Sequence, residues 1–115
     1  FDEVFVSSTR LYASPAAMKD PRKKDVAERL VMLLRSVLEA RKRVMLEVNV
    51  SRDKLEAVVK TLPCMREPTI SMLHGDGGYA VKAAVPKDDL ARLIPEIKRQ
   101  GGTDIVVSAL GQIVP

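Results

Sequence analysis

The feature that most constrains this chain is an internal repeat at an offset of 35 residues, which begins at Val44. Val44 to Val50 (VMLEVNV) aligns with Tyr79 to Val85 (YAVKAAV), both rich in β-formers and partly alternating. Leu55, Val58, Val59 and Leu62 make an i, i+3, i+4, i+7 stripe, and Leu90, Leu93, Ile94 and Ile97 repeat it. Ile70 and Met72 align with Ile105 and Val107, which gives each half a second strand. Ser51 and Pro86 stand at equivalent helix starts, and Gly101-Gly102 ends the second helix. His74-Gly75-Asp76-Gly77-Gly78 joins the halves as a glycine-rich hairpin loop. Two βαβ units with right-handed crossovers over one antiparallel sheet predict an α+β, ferredoxin-like βαββαβ fold with strand order 4-1-3-2. Both helices then cover one face. The other face is partly apolar, so a second subunit or domain is expected against it.

The first 43 residues lie outside this repeat and differ in charge. Residues 1–43 hold ten Lys/Arg and six Asp/Glu, whereas 44–115 hold nine of each, so the whole net charge of +4 belongs to the first segment. Two units are expected: 1–43, a strand and linker helix from the edge of a larger body, and 44–115, the repeat domain. Val4, Val6, Leu11, Tyr12 and Ala13 predict an extended strand over 3–13, broken at Ser14-Pro15. Asp20-Pro21 supplies an N-cap and a proline at the first helical position, predicting a helix to about Ala40. Val26, Leu30, Leu33, Leu34 and Val37 follow the helical period, and Val31, Met32 and Leu38 widen the stripe beyond one face. One strand and one helix cannot bury that much apolar surface. The clusters Arg22-Lys23-Lys24 and Arg41-Lys42-Arg43 read either as solvated helix ends or as a phosphate contact.

Several function classes are disfavoured. Aromatic residues are 3% of the chain and Trp is absent, which leaves few rings to stack on bases, so no nucleic-acid partner is expected. The longest apolar run, Leu30 to Leu34, is five residues, against the ~20 of a membrane helix, so no membrane partner is expected. One cysteine cannot form an intrachain disulfide, and a reducing, cytoplasmic setting is the default expectation. No nucleophile–base set is readable. Cys64 reads as a small buried residue and His74 as a loop or packing residue, and no metal-ligand spacing surrounds them. The glycine loop reads as a hairpin turn rather than a phosphate cradle. The isolated chain is not expected to be catalytic.

The strings STRLYASP (8–15), VMLEVNV (44–50), LPCMREPTISML (62–73), YAVKAAVP (79–86) and IPEIKRQGGTDIVVSALGQIVP (94–115) resemble the C-terminal portion of long-form ATP phosphoribosyltransferase. The resemblance covers nearly the whole chain. It implies an ACT-like (ACT/PII-like) regulatory domain that binds L-histidine for allosteric feedback inhibition of the first step of histidine biosynthesis. In that step a glycosyltransferase joins ATP and phosphoribosyl diphosphate into phosphoribosyl-ATP. It further implies a homo-oligomer formed through the regulatory domain, catalytic domains of a parent enzyme as partners, and magnesium for the parent's phosphorylated substrates, with no cofactor in this chain. The family's phosphoribosyl-diphosphate loop has no counterpart in the 115 residues, so the chain is expected to be a C-terminal fragment. Residues 1–15 then resemble the strand closing the catalytic region, and 21–42 the helix leading out of it.

Carried over by the resemblance, the histidine contacts fall on Asn49, Met65, Thr69, Ala84 and Asp104. The repeat offers a check, because Asn49 and Ala84 are equivalent at the offset of 35, as are Thr69 and Asp104. In the 4-1-3-2 sheet Asn49 and Asp104 meet at one end, and Thr69 and Ala84 at the other. A single small ligand touches both only across a subunit interface, which is how the family is expected to share its histidine. Asn49 and Asp104 would hold the α-ammonium, Thr69 the imidazole or carboxylate, and Met65 and Ala84 the apolar walls. The plainer reading of Asn49 and Thr69 is strand-end turn chemistry, and that of Met65 and Ala84 is core packing. The sequence departs from the family at Ser51, where proline is usual, and at Cys64, where glycine is usual. Asp104 replaces a small apolar residue and Ala84 a larger one. A free-standing ACT/PII-like sensing module is the alternative, disfavoured by the orphan segment 1–43. RNA binding on the sheet is a third reading, disfavoured by a central pair of strands with Tyr79 as its sole aromatic.

Overall fold

A computed structural model describes residues 5–115. Its centre is the four-stranded antiparallel sheet of the repeat, formed by β1 (Arg43–Val50), β2 (Thr69–Met72), β3 (Tyr79–Pro86) and β4 (Thr103–Ala109) in the order β2-β3-β1-β4. This is the expected 4-1-3-2 arrangement. β1 alternates strictly between half-buried and buried residues, so Val44, Leu46, Val48 and Val50 point to one face while Met45, Glu47 and Asn49 point to the other. β3 answers with Val81, Ala83 and Val85. Two helices close this inner face: α3 (Leu55–Thr61), entered through a 3₁₀ turn at Arg52–Lys54, and α4 (Leu90–Arg99), entered through a matching turn at Lys87–Asp89. Val58, Leu93 and Ile97 carry their burial into the core, with 0% of their surface exposed. The equivalent starts at Ser51 and Pro86 are thus observed as the residues capping those two turns.

Chain reversals follow the glycines. Gly101 adopts φ +100°, its N–H bonds Lys98 O at 3.1 Å, and the Gly102 N–H bonds Ile97 O at 2.8 Å. That is the two-bond Schellman ending, which needs a residue free of Cβ at the left-handed position. At the hairpin, the Leu73 N–H bonds Gly78 O at 2.9 Å and His74 lies exposed in the loop.

The helix expected from Asp20-Pro21 is α2, Pro21–Arg41, and the Asp20 carboxylate caps it by accepting from the Arg22 N–H at 3.0 Å. Ser14-Pro15 does more than break the chain. The Ser14 hydroxyl accepts from the Ala17 N–H at 3.1 Å and opens a five-residue helix, α1 (Pro15–Lys19), because Ser followed by Pro is itself a helix-start signal. The strand expected over 3–13 starts outside the described residues, and 5–13 form no strand. A strand exists by pairing its backbone groups with a neighbour, and all four strands of the sheet lie after residue 42. The clusters Arg22-Lys23-Lys24 and Arg41-Lys42 are exposed, and Arg43 is half-buried and bonds Glu39 through its Nε at 3.1 Å.

α2 leaves most of its apolar stripe in solvent. Leu30, Leu33, Leu34 and Leu38 are each about half exposed, and only Ser36 and Ala40 are buried. The radius of gyration is accordingly 19.7 Å, against ~13 Å for a compact chain of this length. Among the described residues no helix is long and apolar enough to cross a membrane.

Candidate functional site

The repeat acts in space as a two-fold. β1 and β3 pair with Glu47 opposite Lys82, and those two residues are themselves equivalent at the offset of 35. The internal axis therefore passes through this pair, whose Lys82 Nζ and Glu47 Oε1 lie 3.3 Å apart on the outer face. Each position at one end of the sheet has a sequence equivalent at the other, and the five candidate ligand contacts divide between the two ends.

At one end a cleft of about 310 Å³ opens beside the outer face, lined by Met65, Thr69 and Ala84 together with Met45, Arg66, Glu67 and Lys82. Its volume sits at the lower end of the roughly 300–1,000 Å³ of small-molecule pockets. Thr69 pairs with Lys82 rather than directly with Ala84, which is two residues further along β3 and opposite Met45. Alternation still returns Thr69, Lys82 and Ala84 to the same face. Met65 stands in the α3–β2 connection and is 37% exposed, so it is a wall of the cleft and not a core residue. Cys64 is half-buried rather than fully buried: it packs against the edge of the core and also lines the cleft beside Met65, its thiol directed to Leu62 O at 3.6 Å.

At the other end the Asn49 Nδ2 donates to Asp104 Oδ2 at 3.3 Å, and the Thr103 hydroxyl lies 3.4 Å from Asn49 O. Here β4 shifts register against β1 between Glu47 and Asn49. The irregularity falls on Asp104, whose φ of +51° makes it the one non-glycine residue with positive φ among those described. Asp tolerates this region better than most side chains. The outcome is an exposed carboxylate, carried on a strained backbone position and hydrogen-bonded to a half-buried amide. Measured along β1, Met45 and Asn49 are ~13 Å apart at ~3.3 Å per residue, too far for one amino-acid-sized ligand.

Reading residues one at a time missed Lys82, Arg66, Met45 and the segment after β4, whose Ile113, Val114 and Pro115 complete the cleft wall. Lys82 carried a usable signal, since it aligns with Glu47 in the repeat and an antiparallel pair about a two-fold brings such positions face to face. The placement of 113–115 carried none, because nothing local shows where an irregular segment lies.

The sheet order, the two helices on one face and the paired halves define a ferredoxin-like βαββαβ domain with a ligand-sized cleft beside its outer face. The family described as "HisG, C-terminal domain" matches residues 40–112, and the chain belongs to that family. Proteins named ATP phosphoribosyltransferase are similar to it over nearly its full length. One from Pelotomaculum thermopropionicum is 36% identical over 97% of the chain, and one from Natronomonas pharaonis is 38% identical over 99%. One from Methanocaldococcus jannaschii is 33% identical over 98%. The chain spans about 39% of the length of the first two relatives and 40% of the third.

Proposed function

We propose that this chain is the regulatory part of an ATP phosphoribosyltransferase and that it binds L-histidine at a site shared between neighbouring copies. Met65, Thr69 and Ala84 on one copy face Asn49 and Asp104 on the next. The observation that carries this reading is the division of the five candidate contacts between opposite ends of a pseudo-symmetric sheet. One end offers a cleft with apolar walls, the cations Lys82 and Arg66 and the acid Glu67, the other an anionic Asp104 beside an amide. A zwitterion with a carboxylate and an ammonium needs one of each. Lys82 and Thr69 suit the carboxylate, Asp104 and Asn49 the ammonium, and Met65, Met45 and Ala84 the side chain.

The exposed stripe on α2 supports a second part of the proposal, that this helix packs against the catalytic portion of the same protein, where magnesium and the phosphorylated substrates are handled. Feedback is then a coupling free energy between this site and that portion, typically ~1–3 kcal/mol. The test is calorimetric titration with L-histidine of a sample whose assembly has been measured by light scattering, beside Thr69→Ala and Asn49→Ala. Saturable binding weakened by both changes is expected. An assembled sample that gives no binding heat refutes histidine sensing and leaves a domain for some other small ligand.

A further inference from the structure

The segment after β4 has no regular structure, yet it is tied down at a single place. The Ile113 N–H bonds the carbonyl of Ser36 at 3.0 Å, and the Gln112 side-chain amide donates to the Ser36 hydroxyl at 3.2 Å. Ser36 lies in the middle of α2 and is 2% exposed, the one buried polar residue among those described. Its own hydroxyl proton goes to Leu33 O at 2.6 Å, so its remaining capacity is as an acceptor for the segment. The one buried polar side chain of α2 is thus spent on this anchor. From it, Ile113, Val114 and Pro115 run along the cleft, and Val114 and Pro115 also line the groove beside α2 that Leu30, Val31 and Leu38 border. On the near side Gly111 meets nothing within 4 Å of where a Cβ would stand, so no neighbour packs against that side of the segment. The same three residues, Ile113 to Pro115, therefore touch the ligand cleft and the helix.

We propose that residues 111–115 are a strap that closes the Met65–Thr69–Ala84 cleft and reports its occupancy to α2 through Ser36. A ligand seated against Ile113 and Val114 holds the strap down, which holds both bonds to Ser36 and stiffens α2 around them. Ser36 and Gln112 are positioning residues in this device. The cleft is taken to be the ligand site proposed above, so the device rests on that reading for its ligand. Its mechanical part does not.

Cys64, the single cysteine, lines the cleft and serves as a built-in reporter. The rate at which N-ethylmaleimide alkylates it, followed by mass spectrometry on the full chain, measures how often the strap lifts. Ser36→Ala and Gln112→Ala remove the same side-chain bond from its two ends. Each is expected to raise the rate roughly two- to tenfold, the effect of one net hydrogen bond. The double variant is expected to go no faster than either single one, since both changes break one interaction. Ile113→Pro removes the backbone donor and gives an independent increase, with urea midpoints showing that the fold persists. Unchanged alkylation in all three variants overturns the strap. In the second arm, amide exchange in α2 around Ser36 is expected to slow on adding L-histidine in the parent chain, and Ile113→Pro is expected to abolish that slowing while calorimetry still shows binding. Equal slowing in the variant overturns the coupling. Failure of L-histidine to bind the parent chain defeats the proposed ligand alone, and the alkylation rates still decide whether the strap exists.

Discussion

Asp104 offers a prediction in which the usual order of two substitutions is reversed. In an ordinary strand, glycine is less favourable than alanine by ~0.5–1 kcal/mol, because the unfolded chain gives up more freedom. At position 104 the backbone has φ +51°. An L side chain pays roughly 1–2 kcal/mol to stay in that left-handed region and glycine pays almost nothing. Both Asp104→Gly and Asp104→Ala lose the exposed 3.3 Å bond from Asn49, so this loss cancels between them. The difference leaves Asp104→Gly more stable than Asp104→Ala by ~0.5–1 kcal/mol. For a domain of this size that is several degrees in Tm, at ~4–8 °C per kcal/mol. Urea unfolding of the two variants side by side measures it, with equal m-values required so that the midpoints compare directly. Both variants also lose the carboxylate, so L-histidine binding is expected to weaken equally in the two. An alanine variant as stable as the glycine variant, or more stable, refutes the strained-backbone argument. Recovery of binding by Gly alone refutes the assignment of Asp104 as an ammonium partner.

Other perturbations separate the core from the surface. Leu93 is 0% exposed, so Leu93→Ala is expected to cost ~2–5 kcal/mol, whereas Leu33→Ala on the half-exposed face of α2 costs under ~1 kcal/mol in this chain; thermal melts of the pair check it. Gly78 has φ +97° and a Cβ there would stand 2.3 Å from Val50 O, while Gly75 has φ +68° and open space. Gly78→Ala is therefore expected to lower the urea midpoint much more than Gly75→Ala, and equal shifts would contradict the close approach of the two strands. The Ser51 hydroxyl, with help from the Asp53 backbone N–H and from Lys54, holds the Asp53 carboxyl below its ordinary value. A lowered folded value stabilises the fold above the ordinary carboxylate range and loses that contribution as pH falls through the folded value. Carboxyl NMR titration is expected to show Asp53 moving back up in Ser51→Ala.

The sheet was legible because its repeat is redundant. Leu55-Val58-Val59-Leu62 and Leu90-Leu93-Ile94-Ile97 each predict a helix, and their common offset fixes the strands between them, so strand order followed from topology rules without any knowledge of contacts. Asn49 and Asp104 could be placed together for the same reason. The first segment was harder to read. Val4 and Val6 alternate as a strand does, but alternation states only which face a residue would present and does not supply the partner strand that 5–13 lack. Ser-Pro signals a break in an extended segment and a helix start alike, and the latter is realised at Ser14-Pro15 in a five-residue helix that ends before Asp20-Pro21. Cys64 and Met65 lie in an irregular connection, where hydrophobicity predicts burial for both, yet Cys64 packs against the core edge and Met65 stays exposed. The role of Ser36 depends on Gln112 and Ile113, which lie more than seventy residues away, so no local pattern marks it.

The measurement that tests the account most directly uses two silent halves. One variant carries Asn49→Ala with Asp104→Ala, the other Thr69→Ala with Lys82→Ala, so each destroys one end of the sheet and leaves the other whole. Titrated alone with L-histidine, each is expected to give little or no heat. Unfolded together and refolded as a mixture, they are expected to regain saturable binding, because interfaces that join an intact cleft to an intact Asn49–Asp104 end then form. A mixture as silent as its components, in a sample shown to contain mixed assemblies, contradicts a histidine site built between copies.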